Sequence, residues 1–512
     1  MSAIHELPTA VVYHEETKYS EDELRRNPRQ IDWSKQPSPF KDVVAERKFN
    51  LVPWLPFKRS PFTGEEIPDA PTSFGPRPGM AEISRLLFFT YGVTAVAETT
   101  AGPHMLRAAP SAGALYPAEI YVATRGVDGL PDGVHDYQVR DHSLATLWDG
   151  DFWTEFSRYS YGHEAVDKAR VLVIFSGVFQ RSAWRYEERA YRRILLDTGH
   201  ALGNLECIAP RENLLVYPVS GFCDEAINSL LFLDPEQEGV LMVCAIVTED
   251  DLLGVDVRTS SVYPSRVVPT PSRTPREGLL RRLHSASGIP PGEVFADGKR
   301  PDAAALERPH SDKPVTSFAS EPIEMAVEIT IARRRSTRSF TGEPLSKRKT
   351  ADILGFAYEV AQPKPGDADK GLPQVFDPSL IETYVVVHAV EGVDPGVYYY
   401  APGSQELRLV KKGRFRDQIR HFCLGQELGQ DAGAVVVHVS NLIEALAKYG
   451  ERAYRYLHLD AGHLGQRMNL AAVAVEAGAS GIGGFFDDEF NTLLGLGREH
   501  IVVYVTCLGD PA

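Results

Sequence analysis

The chain is poor in cysteine, in basic charge and in long apolar runs, and each shortage narrows what it can be. Its five cysteines, Cys207, Cys223, Cys244, Cys423 and Cys507, are scattered through 512 residues with no close pairs. That spacing excludes a CxxC metal site and gives no disulfide framework, so a reducing cytoplasm is expected. Lys and Arg number 54 against 69 Asp and Glu, a net charge of −15. So acidic a balance excludes broad nucleic-acid binding, which needs a basic face against phosphates, but it leaves room for an anionic cofactor in a local cationic pocket. No apolar stretch approaches the roughly 20 residues a membrane helix needs. Residues 1–6 lack a basic segment followed by an apolar run, so no signal peptide is expected. The motifs HExxH, GxSxG and GxxxxGK(S/T) are also missing, and no metal site is expected.

What is present is a self-match. Tyr186-Glu187-Glu188-Arg189-Ala190-Tyr191-Arg192, followed by Leu196-Asp197-Thr198-Gly199-His200, returns as Tyr449-Gly450-Glu451-Arg452-Ala453-Tyr454-Arg455, followed by Leu459-Asp460-Ala461-Gly462-His463. His463 lies 263 residues after His200, and the same offset carries Gly133-Val134 onto Gly396-Val397, Tyr137 onto Tyr400 and Gly221-Phe222 onto Gly484-Phe485. Solenoid periods run to about 20 to 50 residues, so this is a duplicated domain. The 43% hydrophobic and 24% charged composition is that of a globular protein, and the length suits about two to four domains.

Residues 1–80 are polar and proline-rich and read as an irregular arm over the body. The first copy is expected over 81–263 and the second over 321–512. Between them, 264–320 is a proline-rich connector with one helix near Glu277–Leu283. In each copy a helix precedes a strand (Ile120–Ala123 or Tyr384–His388), and a Gly-Val turn then leads into another. A further strand (Val171–Phe175 or Ala434–His438) comes before the long helix with the repeated motif, and a final strand closes the copy. This rhythm predicts an α+β fold: two like domains, each a mixed, mainly antiparallel sheet flanked by helices, paired about a pseudo-two-fold axis.

Three segments have the composition of a ligand site. Arg333-Arg334-Arg335-Ser336-Thr337-Arg338 opens copy two with a cationic, hydroxyl-rich strip, and guanidinium forks suit phosphate and ring acceptors. Pro110-Ser111-Ala112-Gly113-Ala114-Leu115-Tyr116-Pro117 in copy one would let a flat ligand approach the backbone. Gly481-Ile482-Gly483-Gly484-Phe485 offers exposed amides, but it follows no strand and is not spaced as GxGxxG, so a Rossmann reading fails. A solvated basic run and ordinary turns are the bland readings of the same segments. His200 and His463 read as structural histidines at a helix crossing.

Together these segments resemble the flavin-dependent nitroreductase superfamily and, within it, the SagB-type dehydrogenases that oxidise thiazolines and oxazolines on ribosomal peptides. The likeness covers roughly 80–250 and 325–512. Arg334–Phe340 looks like the superfamily's flavin-binding opening, Pro110–Pro117 like the SagB-type signature, Lys448–Arg455 like its central helix, and Gly483–Asp488 like its glycine loop. The resemblance implies FMN at a dimer interface. It gives the flavin contacts to Arg334, Ser336, Arg338, Pro110, Ser111, Ala112, Gly113, Ala114, Leu115, Gly483, Gly484 and Phe485, and a catalytic Lys-Tyr pair to Lys448 and Tyr449. At the 263 offset Arg334, Ser336 and Arg338 fall on Pro71, Ser73 and Gly75, while Ser111–Tyr116 fall on Gln374–Ser379. Each copy keeps the half-site the other lacks, so one FMN per chain is expected, in a single-chain imitation of the dimer.

Azoline oxidation sends a hydride to the flavin, which O₂ reoxidises, and a proton to a protein base. The copy-one counterpart of Lys448-Tyr449 is Arg185-Tyr186. Arginine cannot act as a base, so if that pair faces the flavin the role falls to Tyr186 or the azoline reading weakens. An NAD(P)H-dependent nitro or quinone reductase is the alternative, and a non-catalytic scaffold beside a cyclodehydratase is another. The expected partners are a peptide substrate and a cyclodehydratase, with no nucleic acid and no membrane, and with room for a further homodimer.

Overall fold

In the computed structural model, residues 7–26, 31–62, 64–67, 77–99, 102–248, 278–290, 304–359 and 378–512 are described. Each copy builds a seven-stranded sheet whose strand pairs are all antiparallel. The first runs in the order Lys48–Asn50, Ser143–Asp149, Gly133–Gln138, Ala118–Thr124, Val171–Val178, Glu238–Val247, Leu215–Val219. The second runs Val315–Ser317, Glu406–Lys412, Gly396–Ala401, Glu382–Val387, Ala434–Asn441, His500–Gly509, Gly478–Ile482. Strands such as Ala118–Thr124 are buried at every position, because helices cover both faces of the sheet. Their Val- and Ile-rich sequences suit that double burial.

The helices that matter to the site are α1 (Thr9–Glu16), α2 (Phe179–Tyr186), α3 (Ala190–Ile208), α4 (Leu279–Ala286), α5 (Leu442–Tyr449), α6 (Ala453–Ala474) and α7 (Asp487–Leu494). The repeated motif lies on α3 and α6, which are buried almost throughout because they pack against each other between the sheets. At the crossing a Cβ on Gly199 would sit 2.1 Å from the Leu459 carbonyl oxygen, and one on Gly462 would sit 2.3 Å from that of Leu196. No side chain fits there, so glycine occupies the axis in both copies. One apolar core runs through both halves and includes Leu195, Leu202, Leu457 and Leu464.

Buried ion pairs cross the axis reciprocally. Arg189 and Arg192 donate to Asp487 at 2.9 and 2.7 Å, and Arg452 and Arg455 donate to Asp224 at 2.7 Å each. These are the same three positions at the 263 offset, so each half supplies the carboxylate for the other's arginines.

The stretch read as an irregular arm contains regular structure. Lys48–Asn50 pairs as an edge strand with Ser143–Asp149, as Val315–Ser317 does in the second sheet. Helix α1 matches α4, the connector helix expected near Glu277–Leu283. His14 and His284 each bond a tyrosine hydroxyl of the opposite copy's long helix relative to the copy they precede, Tyr454 and Tyr191 respectively. Thr9 and Ala10 amides donate to Glu451, and Gly278 and Leu280 amides donate to Glu188. Thr17 and Ser287 hydroxyls accept from Arg192 and Arg455. His284 lies 270 residues after His14, so this match runs out of step with the 263 offset. Pro71, Ser73, Gly75, Gln374–Asp377 and residues 264–277 and 291–303 of the connector lie outside the described residues.

Candidate active site

The loop 108–117 follows a two-stranded ribbon, Val93–Thr99 with Gly102–Arg107. Gly113, Ala114 and Tyr116 all have left-handed backbone, at φ 64°, 53° and 48°. For Ala114 and Tyr116 that conformation costs on the order of 1 kcal/mol or more each, so something must hold it. Asp197 on α3 accepts from the Ser111 hydroxyl at 2.6 Å and from the Ala112 amide at 3.2 Å. The Tyr116 amide donates back to the Ser111 hydroxyl at 2.8 Å, its phenol accepts from the Arg107 amide, and its carbonyl accepts from Arg181. Burial pushes the Asp197 carboxyl up to about 7, against the opposing hydrogen bonds from Ser111 and Ala112.

The arginine strip of copy two meets this loop. Arg334 is buried and donates from Nε to the Ala108 carbonyl at 2.8 Å, with a second, longer bond to that of Arg107. Burial lowers its guanidinium to about 10, which leaves it charged at neutral pH. Arg335 donates to the Thr94 hydroxyl and carbonyl, and the Thr337 amide donates to the Ala479 carbonyl. With these three tied down, Ser336 and Arg338 face a cavity of about 630 Å³. Its volume is in the range of small-molecule and cofactor sites.

Of the residues expected at the site, Pro110, Ser111, Ala112, Gly113, Ala114, Ser336, Arg338, Gly483, Gly484 and Tyr186 line this cavity. Arg334, Leu115 and Phe485 are buried behind it. Lys448 and Tyr449 end α5 in the second half and are not among the lining residues; the corresponding pair at the cavity is Arg185 and Tyr186. His200, read as structural, also lines it. Its Nδ1 lies 2.8 Å from the Leu196 carbonyl and its Nε2 3.2 Å from the Tyr504 hydroxyl, and burial lowers it to about 4, so the ring is neutral.

Sequence reading missed Tyr19, Arg193, Asp197, Asn469 and Tyr504, all of which line the cavity. For Arg193 a signal existed. Its counterpart in the other copy is Tyr456, so the duplicated helix gains a cation on one side only. The Arg193 guanidinium lies 3.8 Å over the Tyr186 ring, and its Nη1 is buried with no hydrogen-bond partner among the described residues. Nη1 of Arg334 is likewise unmatched there. Glycines 483 and 484 keep the wall beside Arg193 free of side chains, since a Cβ on Gly483 would stand 3.3 Å from the Arg193 Nε. Unsatisfied guanidinium donors, a glycine wall and a small-residue loop fit a flat, anionic cofactor such as FMN. Among the described residues no group of three or more His, Cys, Asp or Glu is placed to hold a metal, and no helix is long and apolar enough to cross a membrane.

The chain matches the family model described as "Nitroreductase family" twice, over 81–246 and 331–510. A crystal structure from Anabaena variabilis, of a protein named for the nitroreductases, is 40% identical with a TM-score of 0.86, covering 99% of this chain and 100% of that one. A protein of Methanocaldococcus jannaschii, MJ1384, also named for the nitroreductases, is 29% identical over 171 residues, 33% of this chain and 85% of its own length. The trifolitoxin-processing protein TfxB of Rhizobium leguminosarum bv. trifolii is 29% identical over 147 residues, 27% of this chain and 39% of that protein.

Proposed function

The chain belongs to the nitroreductase family of flavin-dependent oxidoreductases, with two nitroreductase-fold regions, and from that premise we propose that it is an FMN-dependent dehydrogenase with one flavin site per chain. The observation that carries this reading is the cavity in which the copy-one loop Pro110–Ala114 meets Ser336, Arg338, Gly483 and Gly484 of copy two. Arg338 and Arg193 would hold the anionic parts of the cofactor, Ser336 would donate to it, and the left-handed loop would lie against its ring. Bound there, flavin supplies a two-electron acceptor. The protein excludes water, orients the substrate and moves a proton.

For the substrate we propose an azoline ring on a ribosomally made peptide, handled in the cytoplasm beside a cyclodehydratase. Similarity to a toxin-processing protein supports this reading, as does the likeness of Pro110–Pro117 to the SagB-type signature. A second reading, reduction of nitro or quinone substrates with NAD(P)H, is favoured by one observation: the cavity pair is Arg185-Tyr186 rather than lysine and tyrosine.

Absorbance of the purified chain separates these readings. Flavin spectra with a flavin-to-protein ratio near one support the single site, and a colourless protein that takes up no FMN overturns it. Anaerobic bleaching by an azoline peptide, reversed by O₂, marks the dehydrogenase. Rapid bleaching by NAD(P)H marks the reductase.

A further inference from the structure

Helices α1 and α4 are held alike, but the residues that follow them differ. Two positions beyond Thr17 stands Tyr19; two beyond Ser287 stands Ile289, whose amide donates to Asp224. Tyr19 lines the cavity. Its hydroxyl lies 3.5 Å from an Arg193 Nη and its ring lies under the Arg189 guanidinium at 4.5 Å. The sequence match is thus broken at the place where the arm enters the site, as it is at Arg193 and Tyr456.

We propose that Tyr19 is the proton-transfer residue of this cavity, held by Arg193, so that the N-terminal arm is part of the active site. The inference rests on reading the cavity as the flavin site. Two other groups are less suited. Arg185 offers a guanidinium, which is no base. The Tyr186 hydroxyl is packed against the loop, where a Cβ on Gly113 would come within 2.7 Å of it.

The charges around Tyr19 pull its phenol below the ordinary tyrosine value. Burial alone raises the phenol, but Arg193 and Arg192 of α3, with Arg189 just before it, outweigh that and the net displacement is downward. Asp487 of α7 is engaged by Arg189 and Arg192, with His14 at 3.7 Å, and Asp488 by Lys18, which also pairs with Glu15. Glu21 faces His421 at 3.8 Å. In dehydrogenation two substrate bonds to hydrogen break. Flavin, when bound, would be the oxidant that takes one electron pair as hydride. The proton goes to the Tyr19 phenolate and then, from the phenol, to water. In the opposite direction the phenol protonates a quinone oxygen as hydride arrives, and water restores its proton.

Two measurements on the full chain test this. The first is an ultraviolet phenolate titration of wild type minus Tyr19→Phe. It should reveal one phenol ionising below the ordinary tyrosine value of 10.0, moved upward in Arg193→Gln. A difference band titrating at or above that value overturns the proposal. The second is anaerobic reoxidation of dithionite-reduced holoprotein by p-benzoquinone across pH. Tyr19→Phe keeps the ring beneath Arg189, so flavin content should be unchanged while the rate falls about 10²- to 10⁴-fold and its pH-dependent limb disappears. Tyr186→Phe should keep that limb. Tyr19→Phe with wild-type rate and limb overturns the proposal alone; a chain that binds no flavin overturns the reading of the cavity and this inference with it.

Discussion

Arg338 differs from its neighbours in having its side chain directed at the cavity, while Arg334 and Arg335 are occupied with carbonyls of the first half. Arg338→Ala should therefore weaken FMN binding by about 10- to 100-fold, the worth of a charge-assisted hydrogen bond, and leave the melting temperature nearly unchanged. Arg334→Ala should lower both, because it also unties the loop. Titration followed by flavin fluorescence quenching, beside a thermal melt, distinguishes the two. Asp197 gives a pH dependence. Its carboxyl titrates at about 7 when folded and near 3.8 when unfolded, so between those values the folded state holds the extra proton. Stability from this group is therefore present at low pH and lost as pH rises toward about 7, with no further change above. The stability of Asp197→Asn relative to wild type should rise over that window and level off, as read by denaturant unfolding at a series of pH values.

At the scale of elements, the crossing of α3 and α6 leaves no room for a methyl group. Gly199→Ala or Gly462→Ala should destabilise the fold by about 1–3 kcal/mol or more and lower flavin content, since the crossing sets where Asp197 and His200 stand. Chemical denaturation and the flavin-to-protein ratio check this. Much of this level was legible in sequence. The Gly-His pairs on the long helices follow from the 263 offset and the α+β alternation from the apolar runs, while Pro71, Ser73, Gly75 and Gln374–Asp377, on which the complementary loss of the arginine strip and the small-residue loop was read, lie outside the described residues. The match between α1 and α4 was not legible. Only a histidine and a hydroxyl three residues on are shared, and at a 270 offset. Those two positions face arginine and tyrosine partners, while the rest of each helix packs on neighbours that have diverged. Tyr19 was hidden for the same reason. A single tyrosine in a polar arm has no pattern until the fold brings three guanidinium groups around it.

At the scale of the molecule, reciprocal pairing of Arg189 and Arg192 with Asp487, and of Arg452 and Arg455 with Asp224, makes each half incomplete alone. Removing one carboxylate should be severe, because it strands two buried cations. Asp224→Asn should cost about 3–5 kcal/mol in a denaturant melt. These pairs also have a kinetic meaning. A site shared between separate chains exists only at concentrations that hold the chains together, whereas a site shared between two stretches of one chain assembles at a fixed effective concentration. Flavin retention by this protein should therefore depend on free FMN alone and not on how far the protein is diluted, even to levels at which a two-chain site would come apart.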